Sequence, residues 1–293
     1  MDIRVLRYFL AVAREESISG AAESLNLSQP TLSRQLMDLE EELGKSLFVR
    51  GSRRITLTEH GVLLRKRASE IIDLVEKTTN ELTAAEEVIT GDIYIGAGET
   101  ETVHFLTRAA RQMQKQHPQV HFHISSGDTA DVVEQLDNGL IDFGLLLGDI
   151  DDKKYNFITL PAYDIWGFIM RRDDPLAQRE YVTEEDMEGK PLIVNRGIMD
   201  SSMLYDQPLF KNVVATYSLI YNGSLMVADG LGYMLCLDKI HNLSGDSPLC
   251  FRPLMPLAKV QTGIAWKKLQ VFSKASERFL TLLQNELMRQ DLD

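Results

Sequence analysis

The stretch LSQPTLSRQLMDLEEELG, residues 27–44, leaves room for little besides one delimited helix. Ser28 is a good N-cap, because its hydroxyl accepts from a free backbone N–H of the first turn. Pro30 falls where a missing N–H costs nothing, and Gly44 suits the left-handed turn that ends a helix. Between them Leu32, Leu36, Leu39 and Leu43 step by four, three and four residues, which puts one apolar stripe on one face. Gln29, Thr31, Ser33, Arg34 and Gln35 lie in the first two turns, largely off the stripe, and all carry hydrogen-bonding side chains. Two readings stay open on these residues alone: a solvated surface helix, or a helix whose N-terminal end reads base edges. In the second reading the acidic end, Asp38 and Glu40 to Glu42, must face away from the duplex.

The flanking sequence favours the second reading. Val5, Leu6, Phe9, Leu10, Val12 and Ala13 have helical spacing and predict a first helix, and a second starts near Ser19 as N-cap and carries the small pair Ala21-Ala22. After the leucine helix, LFVRGSRRITLT reads as two short strands, Leu47 to Arg50 and Arg54 to Thr58, around a turn at Gly51 and Ser52. Arg50, Arg53 and Arg54 sit at or beside its tip, so the hairpin is a basic wing suited to phosphates or the minor groove. Charge agrees: residues 1–67 carry 11 Lys and Arg against 9 Asp and Glu, while the remainder carries 20 against 34. A near-neutral head on an acidic body fits a polyanion-facing N-terminus.

The stretch SISGAAESLNLSQPTLSRQLMDLEEELGKSLFVR, followed by LTEHG, resembles the LysR-type transcriptional regulators, bacterial winged helix-turn-helix proteins. His60 stands where that family more often has a small residue. The resemblance implies a sequence-specific regulator that binds double-stranded DNA through Ser28, Gln29, Pro30, Thr31, Ser33, Arg34 and Gln35, with Arg50, Arg53 and Arg54 on the backbone.

Beyond Thr58 a proline-free helical pattern runs to about Ile89. Leu64, Ala68, Ile71, Val75, Thr78, Leu82, Ala85 and Ile89 alternate steps of four and three, a heptad seam, although Ala68, Thr78 and Ala85 make it weak. One alternative is a helix lying on its own domain. The resemblance favours dimerisation, since in the family the linker helix pairs two DNA-binding modules. A dimer places two recognition helices about one helical turn of DNA apart, or a multiple, so the operator is expected to be pseudo-palindromic. The family is most often tetrameric.

From Gly91 the pattern becomes strand, helix, strand, helix, strand. DIYIGAG, VHFHIS and IDFGLLL are strands, with Val120, Phe122 and Ile124 on one face, and residues 101–116 and 129–138 are helices. Strands at 163–171, 191–195, 213–219 and 232–237, with a helix near 222–229, make a second similar unit, and an amphipathic helix spans about 272–290. Strands separated by helices imply parallel α/β units.

Three tempting sites fail on chemistry. GAGETE has Glu101 where a dinucleotide fingerprint needs its third glycine, and two carboxylates there repel pyrophosphate. His121 and His123 share a strand face but lack an evident third ligand. Ser201 and Ser202 lack a nucleophile elbow. Cys236 and Cys250, the chain's two cysteines, form no metal or disulfide framework, and MDIRVLRYFLAVAREE is neither a signal peptide nor a membrane span. No enzyme activity, metal or cofactor is expected, and the expected compartment is the cytoplasm.

The body too resembles the LysR family, through GDIYIGAGET, HPQVHFHISSGDTADVVEQLDNGLIDFGLLLG and NGSLMVADGLGYMLCL. That likeness implies an α/β effector domain of two Rossmann-like subdomains, similar to type 2 periplasmic binding proteins, with a small-molecule cleft between them. The expected organisation is therefore a winged helix-turn-helix domain at 1–58, a linker helix at 59–89 and an effector domain at 90–293. Its subdomains are about 91–161 with 268–293, and about 162–267. Strand-end loops and helix starts supply the contacts in such domains. Carried over, they are Glu99, Thr100, Glu101, Thr102, Gly127, Asp128, Thr129, Leu147 and Gly148, facing Asn195, Arg196, Ser201, Ser202, Tyr221, Asn222 and Ser224, some of them helix caps only. Many relatives bind carboxylate metabolites near a hydroxyl residue here; Glu99 and Glu101 depart from that, and the expectation is that one of them accepts from a hydroxyl or amine of a neutral or cationic effector. The alternative from another class is a soluble small-molecule-binding protein or cofactor enzyme with an N-terminal helical extension.

Overall fold

A computed structural model describes residues 1–50, 54–83, 89–148, 150–199 and 208–290. They fall into two units, Met1–Thr83 and Ala84–Asp293.

In the first unit α1 spans Ile3–Glu15, α2 Ile18–Ser24 and α3 Gln29–Leu43; β1 spans Phe48–Arg50, β2 Ile55–Leu57 and α4 Glu59–Thr83. Val5, Leu6, Phe9, Ala11 and Val12 of α1 meet Ala21 and Ala22 of α2 and Leu32, Leu36 and Leu39 of α3 in one buried core. The two alanines let the helices approach closely, and Asn26, at φ +54°, turns the chain between α2 and α3. Ser17 rather than Ser19 caps α2: Ser17 is extended and its hydroxyl accepts from the Gly20 N–H at 3.2 Å, which leaves Ser19 inside the first turn. Gly44 ends α3 at φ +62° as expected, but Leu43, at the end of the stripe, stays exposed.

β1 and β2 pair antiparallel. The Thr58 hydroxyl donates to the Ser46 carbonyl and accepts from the Gly61 N–H, so it ties the hairpin to the start of α4. Gly61 must be glycine, because a Cβ there would lie 2.1 Å from the Leu47 carbonyl oxygen. The seam expected on α4 is corrected in part. Ala68 is buried in the core of its own unit and Leu64 and Ile71 pack against it, so these three serve the intramolecular core. Val75 is half-buried, Thr78 is exposed with its hydroxyl on the Leu74 carbonyl, and Leu82 lies in the last turn. Ala85 lies outside the described residues, and Ile89 packs against the core of the second unit.

The second unit runs β3 (Gly91–Ala97), α5 (Val103–Gln116), β4 (Val120–Ser126), α6 (Thr129–Asp137), β5 (Phe143–Leu147), β6 (Tyr155–Arg171), β7 (Val182–Thr183) and α7 (Glu184–Met187). Then come β8 (Leu192–Asn195), α8 (Arg196–Met199), β9 (Val213–Tyr217), α9 (Ile220–Ala228), β10 (Tyr233–Leu237), β11 (Leu249–Met255), β12 (Lys259–Lys267) and α10 (Lys274–Gln290). The strand order is β4-β3-β5-β12-β6-β10-β8-β9, with β11 pairing β6 and β7. β3, β4 and β5 are mutually parallel, as are β10, β8 and β9; β12 and β6 join the two sets through antiparallel pairs.

Two α/β halves result. Ile93, Leu106, Phe143 and Phe279 centre one core, and Phe168, Leu192 and Val194 another. Of the face expected on β4, Val120 is buried and Phe122 packs against the first core, while Ile124 stays exposed on this edge strand. β6, 17 residues long, crosses both halves, where the sequence shows only its second part as a strand. β11 and β12 escape sequence reading because Pro253 and Gly263 interrupt them. The return crossing comes at β12 rather than at residue 268, since Ile264 and Ala265 already pack in the first half. Among the described residues, no helix is long and apolar enough to cross a membrane.

Candidate functional site

The start of α3 is built by its own sequence. Ser28 is extended and its hydroxyl accepts from the Thr31 N–H at 3.3 Å, with the two hydroxyls 2.7 Å apart. Leu32, Leu36 and Leu39 go into the core, which turns Gln29, Pro30, Thr31 and Arg34 to solvent and leaves Ser33 and Gln35 half-buried. Arg34 has no ion pair among the described residues. A helix start that points its positive dipole end and the exposed Gln29 and Arg34 side chains at solvent can approach phosphates with its backbone and base edges with its side chains. Glu40, at the acidic end, is occupied: one carboxylate oxygen accepts from the Leu47 and Phe48 N–H groups at 2.6 and 3.2 Å. That carboxylate fixes where the hairpin leaves the helix.

Of the wing arginines, Arg54 is exposed and pairs with Glu16 at 3.3 Å. Arg50 ends β1 opposite Ile55, and Arg53 lies outside the described residues.

In the second unit a cavity of about 830 Å³ opens between the two halves. That volume is in the range of small-molecule sites. The structure brings Glu99, Gly127, Asp128, Thr129, Leu147, Asn195 and Arg196 to its wall, as expected from strand ends and helix starts. It adds Trp166 of β6, Tyr217 at the end of β9, and Leu219, Ile220, Cys236 and Leu237. The ends of β9 and β10 obey the same strand-end rule and were findable; Trp166 belongs to the crossing strand that the sequence does not reveal.

Other expected contacts lie elsewhere. The Thr100 hydroxyl donates to the buried Asp164 carboxylate and lies 3.0 Å from the Thr102 hydroxyl, so both threonines turn into the protein. Burial pushes the Asp164 carboxyl above its ordinary 3.8, the Asp238 charge adds to that, and the bonds from Thr100 and the Glu101 backbone, with Lys239 nearby, oppose it. Glu101 is 3.7 Å from the exposed His104 ring instead of lining the cavity. Ser224 is buried with its hydroxyl on the Tyr221 carbonyl, while Tyr221 and Asn222 are exposed away from the wall, which Gly148 does not join either. Ser201 and Ser202 lie outside the described residues.

The cavity's acids have structural partners. Asp128 and Asp131 form a reciprocal capping box at the start of α6. Glu99 accepts from the Ile220 N–H at 2.9 Å. Among the described residues lining the cavity, Arg196 alone is cationic, and it carries no ion pair.

The thiols offer no redox pair. Cys236 and Cys250 pair with β6 from opposite edges, opposite Gly167 and Met170, so they are separated by two strand spacings, roughly 9.5 Å, and by three residues along the strand as well, beyond the Cα separation a disulfide spans. Burial pushes both thiols up, Cys236 most.

Comparison with known proteins matches both units. Residues 3–62 match the bacterial regulatory helix-turn-helix protein model of the lysR family, and residues 86–288 match the LysR substrate binding domain model. The dual regulator OxyR of Escherichia coli K12 is 30% identical over 210 residues, covering 71% of this chain and 67% of its own. The HTH-type transcriptional regulator YfeR of Shigella flexneri is 24% identical over 292 residues, covering 97% and 94%. Among solved structures, the LysR family regulator CbnR superposes with a TM-score of 0.73 at 18% identity, covering 98% of this chain and 99% of its own. With one matched model on each of its two units, the chain belongs to the LysR family of transcriptional regulators, which are not enzymes.

Proposed function

We propose that the chain binds a pseudo-palindromic operator through the first two turns of α3 and responds to a small molecule held between the halves of its second unit. The observation that carries the first part is the division within α3: three leucines buried, and Gln29, Thr31 and Arg34 left exposed beside a capped helix start. A solved relative, full-length CbnR, is complexed with its target DNA, which supports the same role here. Arg50, Arg53 and Arg54 hold the sugar-phosphate backbone from the wing.

Two copies pair through α4, giving a homodimer that can double to a tetramer. The side chains available for this are the exposed Leu63 and Leu74, eleven residues apart and therefore on one helix face, in place of the inward Leu64, Ala68 and Ile71. The effector is neutral or cationic, because Glu99, Asp128 and Asp131 line the cavity with Arg196 as the one cation among its described residues. It shifts regulation by binding one arrangement of subunits more tightly than the other.

Selection of duplexes from a random library by the full chain tests the reading. The expected product is a two-fold-related sequence whose binding weakens steeply with salt, as counterion release requires. Enrichment of no sequence, or salt-independent binding, overturns it.

A further inference from the structure

α9 has no cap of its own. Its N-cap position is Leu219, whose side chain accepts nothing, so the first N–H groups of the helix lack a local partner. The partner comes from 121 residues away: Glu99, on the loop after β3 in the first half, reaches across the cavity to the Ile220 N–H at 2.9 Å. A second contact spans the same gap. Gly197, after β8, lies so close to Asp128 that a Cβ there would be 2.6 Å from its carboxylate oxygen. Besides the strands that join them, the two halves therefore approach each other at these two places, and one of them is a carboxylate at a helix start.

We propose that Glu99 is a tethered ligand that latches the two halves together and excludes free carboxylates from the start of α9. This deepens, and rests on, the reading of the cavity as the effector site. An internal carboxylate competes at an effective concentration on the order of millimolar or more, so a free anion must exceed that to displace it. An effector then gains entry by hydrogen bonding elsewhere in the cavity or by drawing Glu99 off Ile220 with a donor of its own, and either is chemistry for a neutral or cationic molecule.

Hydrogen exchange and calorimetry on the full chain, with Glu99→Ala and Glu99→Gln beside the wild type and succinate as probe at fixed ionic strength, test the latch. The Ile220 amide is expected to exchange about tenfold faster in Glu99→Ala and to stay partly protected in Glu99→Gln, whose amide oxygen still accepts. Succinate is expected to bind Glu99→Ala about tenfold more tightly than wild type, the loss of one competing contact. Unchanged Ile220 exchange in Glu99→Ala, or succinate binding wild type as tightly as Glu99→Ala, overturns the proposal. A metabolite panel that leaves wild-type melting unmoved, with the Ile220 and succinate results as expected, counts against the effector-site reading and leaves the latch standing.

Discussion

α3 and α9 solve the same problem, unpartnered N–H groups at a helix start, in opposite ways. α3 carries its cap next door in Ser28 and leaves its polar first turns open to solvent. α9 carries none and borrows a carboxylate from across a cavity. On the proposed reading the open start is left to an external polyanion, while the filled one is closed to anions. The difference shows how one dipole, positive at the helix start, serves recognition in one unit and self-contact in the other.

The largest test of this comparison is whether the units carry independent cores. Leu36 is buried in the first core, so Leu36→Ala is expected to cost roughly 2–5 kcal/mol there. Calorimetry should show the transition of the first unit fall while that of the second stays; a common shift breaks the division.

The two caps come next. Ser28→Ala is expected to cost about 1 kcal/mol in the first unit, and Glu99→Ala roughly 0.5–2 kcal/mol in the second. Urea unfolding followed by probes in each unit distinguishes them, and the comparison fails if either substitution destabilises the other unit.

The smallest effect is in pH. Because burial raises the Asp164 carboxyl, the folded chain holds a proton that the unfolded chain has lost in the window above 3.8. The folded state then binds more protons than the unfolded one, so this group's contribution falls as pH rises through its folded value and stays low at neutral pH. Asp164→Asn is expected to flatten that slope in urea titrations at pH above 3.8. An unchanged slope would mean that Asp164 titrates normally.

Legibility followed the same line as the caps. The start and stop of α3 rest on Ser28, Pro30 and Gly44, all within the helix or one residue from it, and local chemistry is what a sequence displays. Periodicity on α4 marked an apolar stripe but not what covers it, so Leu64, Ala68 and Ile71 were expected at a dimer seam and lie in their own core. Strand ends pointed to Glu99, Asp128, Asn195 and Arg196. Thr100 and Thr102 obeyed the same rule yet turned inward, because Asp164, on a strand 64 residues later, offers a buried acceptor. Trp166 and the Glu99 to Ile220 bond depend on where β6 crosses between the halves, and no local pattern encodes that.

The central claim, that the first turns of α3 read DNA, is tested most directly by repeating the duplex selection with Arg34→Ala. The account predicts that the variant keeps its melting temperature, since Arg34 is exposed and has no ion pair among the described residues. It also predicts that preference at one base pair in each half-site relaxes, at a cost of roughly 1–3 kcal/mol for the cognate base. An enriched sequence identical to that of the wild type, with equal affinity, would contradict it.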